Sequence, residues 1–335
     1  MKRTLIEVDA VAAWENLARA FAQAARGKQD RPDVCAFRRD LNANLASLSE
    51  RIRAGRAGSG EFRRLVIHDP KRRIIHVPSF EERVLHHALM AIAGPVLERA
   101  MVANTYACLP GRGNHRAVSR VQQQLQRFAW FVKIDIAGYF DHIDHGILLS
   151  LLRRRFAGDG FLLLMEQIVR AYQSGPGRGL PIGTLVSQHL ANYYLDGLDR
   201  WLAARSEVKA AVRYMDDVIW WCGDRESARR TLNAADLYLR IERLLTIKAN
   251  PQINRSKRGV TFCGFRVHPG GLRLTPRRRR RYASRRAYWE KLWTRGLIDE
   301  RTLQLRYAAV HAITLPADTS AWRCIHLARR GVVDA

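Results

Sequence analysis

Arg213-Tyr214-Met215-Asp216-Asp217-Val218-Ile219-Trp220-Trp221 is the stretch whose reading decides the fold. Two adjacent carboxylates interrupt apolar, β-prone residues, which predicts two buried strands joined by a hairpin with Asp216 and Asp217 at its turn. Desolvation makes unmatched charge costly in such a place, so a cation should meet the pair. Mg²⁺ suits that position, because it takes a few carboxylate oxygens together with substrate phosphates. A solvated Asp-Asp turn is the plainer reading, and the pair taken alone favours it.

Working outward, Trp130-Phe131-Val132-Lys133-Ile134-Asp135 reads as another buried strand, ending in a third carboxylate. A metal site shared between two segments requires such a residue. Asp144 reads as the N-cap of a helix over 146–155, and Asp141 as a turn residue. After a helix over 161–172, Ser174-Gly175-Pro176-Gly177-Arg178-Gly179 leads into Leu180-Pro181-Ile182-Gly183-Thr184-Leu185-Val186-Ser187-Gln188. Glycine there lets a backbone approach a substrate closely, and a helix starts near Ser187 and Gln188; an ordinary loop and helix start is the alternative.

Farther toward the N-terminus, residues 10–54 are helical by their three- and four-residue apolar spacing, with Val11, Trp14, Leu17, Phe21, Leu41, Leu45, Leu48 and Ile52 in phase. Gly55-Arg56-Ala57-Gly58-Ser59-Gly60 punctuates the chain. Two strands, 62–68 and 73–77, flank Asp69-Pro70-Lys71-Arg72 and predict a hairpin with a basic tip, which is either solvated or grips phosphates. Ser79 with Glu82 forms a capping signal for a helix carrying His86 and His87, whose adjacent positions point them apart and argue for packing over metal ligation. Asn104 to His115 is a glycine-rich basic loop. Beyond the acidic hairpin come an amphipathic helix over about 226–245, a strand pair within 259–267, and an arginine run, Arg277-Arg278-Arg279-Arg280-Arg281, continued by Arg285 among aromatic residues. Interleaved cations and aromatics on a helix predict contact with nucleic acid.

The balance of 57 Lys and Arg against 31 Asp and Glu, a net charge of +26, predicts a polyanionic partner. Nucleic acid comes first and an anionic membrane surface second; no apolar run approaches the roughly 20 residues that span a bilayer. The start, Met1 to Asp9, has no signal-like apolar segment, so a cytoplasmic protein without membrane association is expected. Five scattered cysteines, with no Cys-x-x-Cys, suggest neither a zinc ribbon nor a disulfide framework and read as small buried hydrophobes.

Carboxylates on two strand ends, a basic hairpin, a glycine loop and a basic helical tail together describe an α+β nucleotidyl transferase working with two metal ions. The order of motifs resembles a reverse transcriptase from about residue 61 onward, and Tyr214-Met215-Asp216-Asp217 is that family's catalytic box. The resemblance implies a right-hand polymerase: an N-terminal helical extension over 1–60, fingers over 61–128, a palm of antiparallel sheet and helices over 129–268 with inserted fingers elements near 146–180, and a helical thumb over 269–335. It makes Asp135 and Asp216 metal ligands, Asp217 a weaker neighbour, and the Ile136 carbonyl a further ligand for two Mg²⁺ ions, for which Mn²⁺ can substitute. Lys71 and Arg73 resemble the triphosphate-holding residues. Phe140 matches the position that excludes a ribose 2′-hydroxyl, implying dNTPs. Phe262-Cys263-Gly264-Phe265 is similar to the primer grip, usually Phe-Leu-Gly-Phe.

One departure refines the resemblance. The common Pro-Gln-Gly-x-x-x-Ser-Pro reads Pro181-Ile182-Gly183-Thr184-Leu185-Val186-Ser187-Gln188 in this chain, so an apolar side chain replaces an amide beside the incoming nucleotide. That form is similar to the reverse transcriptases of diversity-generating retroelements, as are Tyr106-Ala107-Cys108 and Arg83-Val84-Leu85-His86-His87-Ala88-Leu89. The resemblance implies a bacterial or phage-encoded enzyme that copies a template-repeat RNA into cDNA with errors opposite adenine, for mutagenic retrohoming, beside a pentameric accessory variability determinant. Losing a positioned amide loosens discrimination that depends on satisfied polar contacts. The competing expectations are a retron-like or phage-defence reverse transcriptase that copies its RNA faithfully, an RNA-dependent RNA polymerase, which Phe140 opposes, and a non-catalytic RNA-binding scaffold.

Overall fold

The computed structural model describes residues 3–58, 60–68, 72–315, 317 and 319–330, and the chain divides into two units. One unit, Leu109–Asp135, Leu202–Asn233 and Asn250–Ala335, carries both acidic stretches. At its centre is an antiparallel sheet in the order Val208–Tyr214, Asp217–Cys222, Trp130–Asp135, Gln252–Arg255. The apolar runs account for it: Val132, Ile134, Val218, Ile219, Trp220 and Trp221 are all buried, so the two inner strands are covered on both faces. Each such side chain contributes about 1.5–3 kcal/mol by burial. The Trp220 indole N–H donates to Thr231 Oγ1 at 3.0 Å, on the helix Arg225–Arg243, so this ring's polar atom is matched.

The same unit continues into a meander of Val260–Phe262, Phe265–His268 and Gly271–Leu274. The sequence predicts only the first two of these strands; the third, Gly271–Leu274, follows Pro269-Gly270 and itself begins on glycine, so no β-prone run marks it. Helices Pro276–Thr294, Glu300–His311 and Ser320–Arg330 follow. Thr275 caps the first by accepting from Arg278 N at 3.4 Å, and Asp299 caps the second by accepting from Thr302 N at 2.8 Å.

The other unit is Met1–Cys108, Ile136–Trp201 and Ala234–Ala249. The expected N-terminal helices appear as Val8–Ala12, Trp14–Ala25, Pro32–Arg39 and Leu41–Arg53, and they pack on the long helix Phe80–Ala100 through Leu17, Val84, Leu85 and Leu89. Asn16 ties the packing together by donating to the carbonyls of Val11 and Ala88, both at 3.0 Å. Ser79 caps the long helix as its sequence predicts, accepting from Glu82 N at 3.1 Å. His86 is buried against Glu82, with Nε2 3.6 Å from Oε1.

Strands Phe62–His68 and Arg72–Pro78 form the expected hairpin; its tip, with Lys71, lies outside the described residues. Asp144 accepts from Ile147 N at 2.8 Å and caps His145–Arg155, again as expected. Thr4–Leu5 pairs in parallel with Phe156–Ala157, a long-range contact that nothing in the sequence announces. The cysteines depart from expectation: Cys222 is buried and Cys263 half-buried, but Cys35, Cys108 and Cys324 are exposed. Among the described residues no helix is long and apolar enough to cross a membrane.

Candidate active site

At the acidic end of the sheet, Tyr214 pairs with Asp217 and closes a two-residue turn of Met215 and Asp216. Met215 has φ +60°, a left-handed conformation that a side chain disfavours, and such strain persists only where surrounding structure holds it. Part of that hold comes from Arg213, fully buried, whose Nη1 donates to the Met215 carbonyl at 3.1 Å. On the neighbouring strand Asp135 stands directly opposite Asp217. Register thus brings together the three carboxylates that the sequence singles out.

Lys133 was not among the expected site residues, and it belongs with them. Its Nζ is 3.1 Å from Asp217 Oδ1, the diagonal neighbour across the strand pair. Burial pushes the Asp217 carboxyl up from its ordinary 3.8 to about 6; Lys133 pulls it back, while Asp216 and Asp135 push it further up. Asp217 therefore feels the charge of both other carboxylates, and a cation relieves that repulsion. Among the described residues no three His, Cys, Asp or Glu side chains converge tightly enough to cage a metal ion alone. A donor set of few carboxylates fits Mg²⁺, which leaves positions for water and phosphate oxygens, and does not fit a structural metal.

In the same unit, Cys263 and Gly264 form the turn between the first two meander strands, with φ +46° and +78°. Phe262 and Phe265 are buried, so these rings anchor the turn and only the backbone around exposed Gly264 faces outward. Burial pushes the Cys263 thiol up, out of reach of thiolate chemistry. Arg278 lies with Cζ 3.8 Å from the Phe265 ring centroid and donates Nη2 to the Cys263 carbonyl at 3.2 Å. Arg279 lies over Trp322 at 5.4 Å. These two arginines of the run engage the protein's own rings; Arg278 is half-buried, and Arg277, Arg279, Arg280, Arg281 and Arg285 are exposed.

In the other unit, which contains Met1–Cys108 and Ile136–Trp201, Arg73 and Ile182 line a cavity of about 530 Å³ together with Arg64, Arg72, His76, Asp141, Tyr172, Gln173 and Ser174. The arginines come from the basic hairpin, and Ile182 from the glycine loop. His76 N donates to the Ile182 carbonyl at 2.8 Å, which fixes loop to hairpin. Gly183 has φ +114°, and a Cβ there would lie 2.5 Å from Ile75 Cγ2, so glycine is needed for this approach. Burial and then Arg64 hold the His76 imidazole below its ordinary value; burial and then Asp141 push the Tyr172 phenol up. His76 is thus neutral and Tyr172 protonated at neutral pH. Arg64, Asp141 and Tyr172 escaped the sequence reading because they meet only through tertiary packing. Phe140 is half-buried on the short helix Tyr139–His142, its carbonyl accepting from Leu180 N at 2.8 Å. Ile136 is buried and bridged to Ile247, and Gln188 is half-buried on the helix Leu185–Tyr194.

Two acidic strand ends on an antiparallel sheet and a basic hairpin bound to a glycine loop are features of a nucleotide-polymerising fold. Residues 68–267 match the family described as reverse transcriptase (RNA-dependent DNA polymerase), and the chain belongs to that family. It is 27% identical over 146 residues to protein YkfC of Escherichia coli, covering 40% of this chain and 38% of that one. It is also 27% identical over 138 residues to the group II intron-encoded protein LtrA of Lactococcus lactis, covering 39% of this chain and 23% of that one. The chain thus spans well under half the length of these relatives. Among solved structures, apo telomerase from Candida tropicalis aligns with a TM-score of 0.53 and 10% identity over 85% of this chain and 63% of that one, a likeness of fold alone. The fold is α+β, of the right-hand polymerase kind.

Proposed function

We propose that the protein is an RNA-directed DNA polymerase whose palm is the four-stranded sheet, with fingers over 61–128 and near 146–180, a thumb over 269–335 and a helical extension over 1–60. The observation that carries this reading is the register that sets Asp135 opposite Asp217, next to Asp216 on a strained turn. Asp135 and Asp216 hold the metals with the Ile136 carbonyl. Asp217, its charge shared with Lys133, is the weaker ligand. Two Mg²⁺ ions bound there, or Mn²⁺ in their place, supply activation of a primer hydroxyl and neutralisation of the triphosphate. Arg73, with Lys71, Arg64 and Arg72, holds the triphosphate, since guanidinium forks match phosphate oxygens. Phe140 excludes a 2′-hydroxyl, and the backbone at Gly264 between Phe262 and Phe265 supports the primer strand.

The finer reading is copying of a template-repeat RNA with errors opposite adenine, as in diversity-generating retroelements, with a pentameric accessory variability determinant as partner. Its support is Ile182 in the cavity lining, whose one amide side chain among the described lining residues is Gln173. At position 182 itself an apolar side chain takes the place of an amide, so the hydrogen bond that such an amide would give the incoming base is lost and discrimination leans more on shape. Primer extension on an adenine-rich RNA template tests both levels. Incorporation should require divalent metal and dNTPs, and errors should concentrate opposite adenine. Ile182→Gln should lower those errors several-fold, read by sequencing the cDNA. The similarity to a group II intron-encoded protein favours a second reading, faithful copying; accurate cDNA from the wild-type enzyme establishes it and removes the mutagenic one.

A further inference from the structure

Trp130 and Asp135 begin and end one strand, so five steps of about 3.3 Å place them roughly 17 Å apart. Beside Trp130, in the same unit as the carboxylates, lies a groove of about 680 Å³. Its lining includes Arg127, Phe128, Trp130, Arg255, Ser256 and Lys257, and no carboxylate among the described residues. Arg255 Cζ is 5.5 Å from the centroid of the Trp130 ring, and Arg127 Cζ is 5.6 Å from that of Phe128. Both rings are half-buried and all three cations are exposed. A guanidinium resting on a ring keeps its N–H groups available for an anion, while ring and guanidinium planes are both surfaces on which bases stack.

The floor of the groove adds an independent sign. Ser256 is 2% exposed, and its Oγ has no hydrogen-bond partner among the described residues. Its backbone N–H donates to the Ala129 carbonyl at 2.8 Å, which fixes the backbone that carries the side chain. A buried hydroxyl without a partner is disfavoured, and a ligand with phosphate, sugar or base edges completes it.

We propose that this groove binds an unpaired stretch of the RNA template, outside the primer–template duplex. Phosphates meet Arg127, Arg255 and Lys257, and a base lies against Trp130 or Phe128. Two base-sized rings among cations suit single-stranded nucleic acid better than an acidic peptide, which has no use for the rings. The site is separate from the carboxylates, and it rests on the reading of the chain as an RNA-copying polymerase.

The test compares affinity for a short primer–template with affinity for the same duplex carrying a long unpaired template tail. Arg255 and Lys257 are exposed, so R255E/K257E should fold normally. The tail should strengthen wild-type binding, and R255E/K257E should lose about tenfold for the tailed RNA. The slope of log affinity against log salt should flatten by roughly 1.4, about 0.7 per lost phosphate contact. R38E/R39E, with the same change in charge on the exposed face of Pro32–Arg39, should keep the benefit of the tail. Nucleotide incorporation on the short duplex should be unchanged in both variants. A tail benefit equal in wild type and R255E/K257E overturns the proposal, as does an equal loss in the control. Competition by polyglutamate as strong as by single-stranded RNA overturns it in favour of an acidic peptide. Failure of the wild type to extend the short duplex removes the polymerase reading instead, while the binding comparison still reads the groove.

Discussion

The hairpin Val208–Cys222 is flanked by the strand Trp130–Asp135, turns in two residues and buries most of its side chains. The hairpin Phe62–Pro78 forms a sheet of only two strands, and Arg63, Arg64, Leu65 and Val66 stand exposed on it. A lone two-stranded ribbon is marginal in water and bends easily, whereas a turn at the end of a covered sheet is over-determined. The contrast separates two tasks. On the proposed reading, charges that must stay at set distances sit where packing fixes them, and cations that would catch a flexible polyphosphate sit where the backbone can follow it.

The comparison breaks most decisively at Asp216. Asp216→Ala should reduce incorporation by roughly a thousandfold or more with little change in melting temperature, measured by primer extension beside a thermal melt. Retained activity would mean that the acidic turn is structural. Arg213→Met tests whether packing holds the turn: loss of a buried guanidinium and its bond to Met215 should cost about 2–4 kcal/mol in urea unfolding and reduce incorporation as well.

Asp217 sharpens the contrast by pH. The folded protein keeps a proton on this carboxyl up to about pH 6, whereas the unfolded chain loses it near 3.8. In metal-free protein this group therefore makes stability fall as pH rises across that window, because the folded state binds the more protons there. Divalent affinity, read by calorimetric titration, should be level above about pH 7 and drop by up to about tenfold per unit below about 6, as protons compete. On the other hairpin the effect should be graded. Arg73→Ala should raise the KM for dNTP by about tenfold, leave kcat within a few-fold and leave the melting temperature unchanged, in steady-state assays.

What the sequence revealed follows the range of the forces involved. Apolar runs and capping signals act locally, so the acidic hairpin, the strand ending in Asp135, and the caps at Ser79 and Asp144 were readable from neighbours alone. Lys133 was in plain view, two residues before Asp135 and on the same face by alternation, yet its partner lies on a strand far along the chain. Only the register Asp135↔Asp217 joins them. Arg213 read as a flank of the acidic box, since nothing local says that a guanidinium will be fully buried. Asp141 read as a turn residue and Tyr172 as the end of a helix; the cavity they share with Arg64 and Arg73 is a product of tertiary packing. The arginine run read as one nucleic-acid face, but a helix points successive residues in different directions, and Arg278 turns inward onto Phe265.

The bond from His76 N–H to the Ile182 carbonyl gives the protein a built-in gauge. This amide is held by the glycine loop and not by the ribbon's own ladder, so its exchange with deuterium depends on how firmly the loop is seated. A nucleotide that clamps loop and ribbon together slows that one proton, and a ligand that engages the ribbon alone does not. If ribbon and loop hold the nucleotide as proposed, its seating is thereby separable from mere capture of its phosphates, with no label on the substrate and no turnover.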